Sequence, residues 1–120
     1  MNHRLALALV TAALAVLAFP AAAGAHNVRV SPRFGDFGSD FVFHGKYWQA
    51  FKSVRFFYDQ HNDGTYEQTG RFLTNGKGRF RFRWEGETEV DTHRMCFRQR
   101  DTRFRKTYLK CKRFTLLPAD

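Results

Sequence analysis

The side chains best able to do chemistry in this 120-residue chain are one pair of cysteines, a dense run of cations and a thin scatter of histidines. Cys96 and Cys111 are the two thiols. A structural zinc site needs four ligands, and Cys96, Cys111 and His93 supply three without a knuckle spacing, so neither a metal nor another cofactor is expected. Two thiols in an oxidising compartment predict a single disulfide instead. Such a bridge closes a loop of about 15 residues and contributes about 3 kcal/mol.

The cations crowd around those cysteines. Between residues 92 and 113, Arg94, Arg98, Arg100, Arg103, Arg105, Lys106, Lys110, Lys112 and Arg113 stand against one acid, Asp101. That density is the electrostatic footprint of a polyanion binder, with teichoic acid, lipopolysaccharide, extracellular DNA, an anionic membrane surface or an acidic glycan as the partner classes. Spread over separate strand faces, the same charge would serve only solubility. Lys77, Arg79, Arg81 and Arg83 add four more positives, which Glu85, Glu87, Glu89 and Asp91 balance in sequence.

Catalysis finds little support. His26, His44, His61 and His93 are dispersed, no serine sits in a nucleophile-elbow context, and oxidised cysteines cannot attack a substrate, so a non-enzyme is expected. Asp59-Gln60-His61-Asn62-Asp63-Gly64 begins like a calcium loop, but His61 takes the third ligand position and Gly70 stands where the closing glutamate belongs. A turn is the expectation there. Lys77-Gly78-Arg79-Phe80-Arg81-Phe82 is similar to the basic-aromatic stripe with which cold-shock domains stack bases, a use that requires exposed rings. Alternation would bury Phe80 and Phe82, and export would remove intracellular nucleic acid as a partner.

Export is read from residues 1–25. Arg4 supplies a positive start, residues 5–19 are apolar except for Thr11, and Pro20 followed by Ala23-Gly24-Ala25 forms a breaker and a small-x-small cleavage site. A membrane span needs about 20 apolar residues, so a cleaved signal peptide is expected rather than an anchor, with no transmembrane span in the mature chain. The mature domain would occupy residues 26–120, secreted or held in the cell envelope. The full chain carries 20 Lys and Arg against 11 Asp and Glu, and Arg4 is the one charge in the leader.

Turn residues recur every eight to twelve positions along the domain, and apolar and polar residues alternate between them, which predicts an all-β chain of seven or eight short strands. The expected strands are 28–31, 40–44, 54–59, 65–68, 71–74, 79–84, 93–99 and 107–116. Phe80, Phe82 and Trp84 should share the buried face of one of them, with Arg79, Arg81 and Arg83 outward. Asn62-Asp63-Gly64 and Asn75-Gly76-Lys77-Gly78 supply positive-φ residues for tight connections. Within 107–116 the parity is awkward. If Phe114 and Leu116 face inward, so do Lys110 and Lys112, and a bulge in 107–113 is the expected relief. Both sulfurs would then face outward.

A first strand (Val28, Val30) ending in Pro32, a turn punctuated by Gly35 and Gly38, an alternating second strand (Phe41, Phe43) and Gly45 before Tyr47 and Trp48 together resemble bacterial secreted immunoglobulin-like domains of the IPT/TIG kind. The likeness extends more loosely through 54–58 and 74–82. It implies an Ig-like antiparallel β-sandwich and says little about ligands. In antibody-type domains a tryptophan lies between two bridged cysteines. Here Trp48 precedes both, so the bridge is expected to staple the last hairpin around a turn at 102–105. The functional expectation is a secreted, non-catalytic module binding an anionic envelope or extracellular polymer through this hairpin, with loss of binding on reversing Arg98, Arg103 and Arg105 to Glu. The alternative is a structural or protein-binding module, docking a partner through a sheet edge or an apolar patch at Phe104 and Tyr108. A hydrolase would need a deep cleft for which short turns leave little room.

Overall fold

Alternating side chains and glycine-marked turns produce eight strands: β1 (Asn27–Ser31), β2 (Phe34–Gly35), β3 (Phe41–Lys46), β4 (Ser53–Asp59), β5 (Gln68–Leu73), β6 (Phe80–Trp84), β7 (Asp91–Asp101) and β8 (Lys106–Leu116). They are seen in a computed structural model that describes residues 26–86 and 89–118; the leader read in residues 1–25 lies outside them. No helix occurs among the described residues.

The strands form two sheets, β1-β3-β6 and β2-β8-β7-β4-β5. First, third and sixth strands in one sheet facing fourth, seventh and eighth in the other is the Ig partition. Every pairing is antiparallel except that of the two-residue β2, which runs parallel to the end of β8. β2 was not expected, because two residues between turns carry no alternation to read. The expected strands 65–68 and 71–74 are one strand, β5. Gly70, which interrupts the pattern in sequence, is a paired strand residue, and a Cβ there would meet the Phe56 ring at 2.6 Å.

Aromatic side chains fill the space between the sheets. Phe80 is buried, Phe82 and Trp84 pack half-buried beside it, and Arg81 and Arg83 point to solvent. Phe43 of β3 meets Phe97 of β7 with ring centroids 5.4 Å apart, and Phe41 meets Phe114 at 4.7 Å. These cross-sheet pairs hold the two layers together where an antibody-type domain uses its cystine. Gly78 makes the crossing from β5 to β6 possible. Its φ of 69° and a phantom Cβ only 2.0 Å from the Trp48 carbonyl oxygen admit no side chain.

Cys96 and Cys111 are bridged, directly opposite each other on β7 and β8, with 102–105 as the turn between those strands. Both lie on the outer face of the large sheet, in line with Phe57 of β4. Both sulfurs thus face outward as expected, yet Cys96 is fully buried. Tyr66, from the 60–67 loop, places its hydroxyl 3.9 Å from the Cys96 sulfur and packs its ring, tilted, 5.2 Å from that of Phe57, covering the bridge.

The expected bulge in 107–113 is also absent. β7 and β8 pair without interruption from Asp91↔Leu116 to Asp101↔Lys106. Lys110 and Lys112 therefore do share a face with Phe114, opposite Phe97 and Met95. They avoid burial because β8 is the marginal strand of the sandwich along this stretch, and both remain exposed. A lysine at an edge can run its stem along apolar surface and leave its ammonium in water.

Candidate functional site: a basic groove at the sandwich edge

The inward-facing lysines of β8 open onto a groove. Where β1 approaches β8, Arg29 and Val30 of β1, Arg33 beyond it, Arg94 of β7, and Cys111, Lys112 and Arg113 of β8 line a groove of about 530 Å³. Five of the seven lining residues are cations and none is acidic. Lys110 and Lys112 border an adjoining depression with His26 and Tyr47. Arg94 and Arg113 are direct cross-strand partners, a like-charge pair that costs stability unless counter-charged. Asp59 supplies part of that compensation, with Arg94 Nη2 donating to Asp59 Oδ2 at 3.0 Å.

The nine hairpin cations do not share one surface. Arg94, Arg98 and Arg100 point outward from β7 and Arg113 from β8, Lys106, Lys110 and Lys112 follow the inner edge, and Arg103 and Arg105 occupy or flank the turn. Arg103 is committed internally. Its Nε and Nη2 donate to Asp101 at 3.0 and 2.7 Å, and Asp101 in turn binds His26 Nε2 at 2.7 Å. Burial alone would raise the Asp101 carboxyl, but hydrogen bonds from Arg103 and His26 hold it below the ordinary carboxylate value. His26 is lowered by burial, which outweighs the opposing pull of Asp101.

Four cations of these surfaces, Arg29, Arg33, Arg55 and Arg71, were missed in the sequence. Arg29 and Arg33 come from the first strand and the turn after it, more than fifty residues from the hairpin cations, and reach the groove only through β1–β8 proximity. On the outer face of the large sheet, Arg71, Arg55 and Arg98 stand in one row across β5, β4 and β7. Among the described residues none of these three has a carboxylate within ion-pair distance, and Arg98 lies over the Phe57 ring at 4.8 Å. Alternation marks each as outward; only strand pairing shows that they coincide.

The alternative docking patch at Phe104 and Tyr108, and the histidine and acidic clusters, all have structural partners. Phe104 and Tyr108 do not form a free apolar patch: Tyr108 stacks on His26 at 3.7 Å and Phe104 meets the same ring edge-on at 6.3 Å. His93 is buried between the Tyr58 hydroxyl at 3.1 Å and the Glu89 carbonyl oxygen at 2.6 Å. Asp59, Asp63 and Glu67 bring three carboxylates together, yet Asp59 accepts the backbone N–H groups of Asp63 and Gly64 at 3.1 and 2.8 Å. Burial opposes ionisation of Asp59, but those N–H bonds and Arg94 overcome it and lower its pKa. The segment is the turn its Asn62-Asp63-Gly64 composition suggests, with Asn62 and Gly64 at positive φ. No protein-family model matches the chain, and no curated protein matches it in sequence.

Proposed function

We propose that the protein is an extracytoplasmic, non-catalytic Ig-like module, of the IPT/TIG kind found in bacterial secreted proteins, that binds an anionic polymer in the groove between β1 and β8. The observation that carries this reading is the set of five cations, Arg29, Arg33, Arg94, Lys112 and Arg113, around one groove with no acid among its lining residues. A linear polyanion laid along such a groove gains by releasing its condensed counterions, and needs no deep pocket. The leader-like residues 1–25 and the disulfide support an extracytoplasmic setting.

The test is binding of the disulfide-bonded protein to labelled duplex DNA, heparin and polyphosphate across a salt series. Affinity should fall steeply between low and physiological salt, and the Lys112→Glu, Arg113→Glu double variant should bind far more weakly. Binding indifferent to salt would sink the proposal.

A further inference from the structure

The outer face of the three-stranded sheet carries a second basic constellation. Arg29, His44 and Arg81 occupy a single rung across β1, β3 and β6. Strands about 4.8 Å apart set three outward side chains shoulder to shoulder. Lys46 follows two residues along β3, and Arg79 enters from the connection ahead of β6. These five side chains line a groove of about 270 Å³ that has no acidic lining residue. Two acids near this region are engaged elsewhere on the face: Asp40 and Glu85 both pair with Arg83.

Two guanidiniums flanking an imidazole offer forked N–H donors to a tetrahedral oxyanion, and the fixed positives favour a ligand with high charge in a small volume. The geometry points to a phosphate-binding subsite formed by Arg29, His44 and Arg81, backed by Lys46 and Arg79, in which anion binding is coupled to proton uptake by His44. Unliganded, the imidazole is held below its ordinary value, first by burial and then by Arg29, Arg81 and Lys46, the charged groups that face it from β1, β6 and its own strand. A phosphate seated among them offsets that repulsion. By reciprocity, whatever the anion adds to proton affinity the proton adds to anion affinity, so phosphate-bearing polymers are held more tightly as the pH falls through the histidine range. The identification of a polymer as the natural ligand rests on the groove reading above; the subsite itself does not.

The experiment follows the His44 ring resonance through a pH titration of the disulfide-bonded protein, with and without short-chain polyphosphate, at constant ionic strength. The His44 midpoint should rise by about one unit, equivalent to about tenfold tighter binding to the protonated form. In parallel, His44→Gln should bind polyphosphate with a flattened pH profile. A His44 midpoint unmoved by bound polyphosphate, an equal displacement by acetate, or a pH profile unchanged in His44→Gln overturns the subsite. If His44 responds but Lys112→Glu, Arg113→Glu leaves polymer binding intact, the edge-groove reading fails and the subsite stands. The reverse pair of results removes the subsite and keeps the groove.

Discussion

Lys112 stands directly opposite Met95 in the β7–β8 ladder, and Met95 is fully buried while Lys112 is exposed. One strand of lateral displacement separates core from solvent. β7 lies inside the large sheet, whereas β8 reaches the edge where the small sheet gives way to the groove. The position is thus suited to a cation on purely structural grounds, and replacing Lys112 with Met should change stability by no more than about 0.5 kcal/mol. Urea unfolding of Lys112→Met beside the parent measures this; a larger loss would mean the ammonium has a structural role.

Charge reversal should separate the groove from the rest of the basic surface. With duplex DNA as the probe, Lys112→Glu, Arg113→Glu should weaken binding by about tenfold or more and reduce the slope of log K against log salt by about 2. Arg55→Glu, Arg71→Glu, on the outer face of the large sheet, should have the smaller effect. Arg103 is a poor probe of binding, because it holds the buried Asp101 and its reversal would disturb the fold.

The disulfide should stabilise without being part of the core. Cys96→Ala, Cys111→Ala opens a loop of 15 residues and should cost about 3 kcal/mol in chemical denaturation. The double variant should keep its β-sheet circular dichroism, since the Phe43–Phe97 and Phe41–Phe114 pairs join the sheets independently.

Gly78→Ala should be more damaging than its size suggests. The residue combines positive φ with a backbone oxygen where the methyl group would go, and it also exchanges hydrogen bonds with its surroundings, accepting from Trp48 N–H at 3.0 Å. A loss of about 2 kcal/mol or more is expected in thermal or urea unfolding, with the Trp48 environment altered.

Acidification should destabilise the fold in two stages. His26 and His44 have depressed folded-state pKa values, so the unfolded chain takes up their protons first; that stability is complete above about 6.5 and is lost as pH falls through the lower folded values. Asp59 and Asp101 are also depressed, so their contribution is intact above 3.8 and is lost at still lower pH. Unfolding midpoints across this range should show both declines, and Asp101→Asn should lower stability at neutral pH by about 2 kcal/mol through the weakened contacts to His26 and Arg103.

Much of the architecture was legible because strand and turn signals are local. Period-two alternation in Arg79-Phe80-Arg81-Phe82-Arg83-Trp84 sets which side chains enter the core, and the paired glycines and asparagines mark the connections, whatever the rest of the chain does. The cysteine pairing followed from the thiol count and the leader-like composition of residues 1–25. Alternation also correctly placed Lys110 and Lys112 on the inner face. What it could not supply was the lateral position of β8, without which those lysines looked like an error in need of a bulge. Likewise, Arg71, Arg55 and Arg98 became neighbours through register, and Arg29 joined both basic grooves through the packing of β1 against β8 and beside β3. Sequence determined most of the strands, their facing and the crosslink, because each depends on residues adjacent in the chain or on a single pair; the two-residue β2 and the continuity of β5 through Gly70 were set by pairing. Only the tertiary structure decided where charge converges, because strand order and register are set by long-range pairing and side-chain packing that local alternation leaves open.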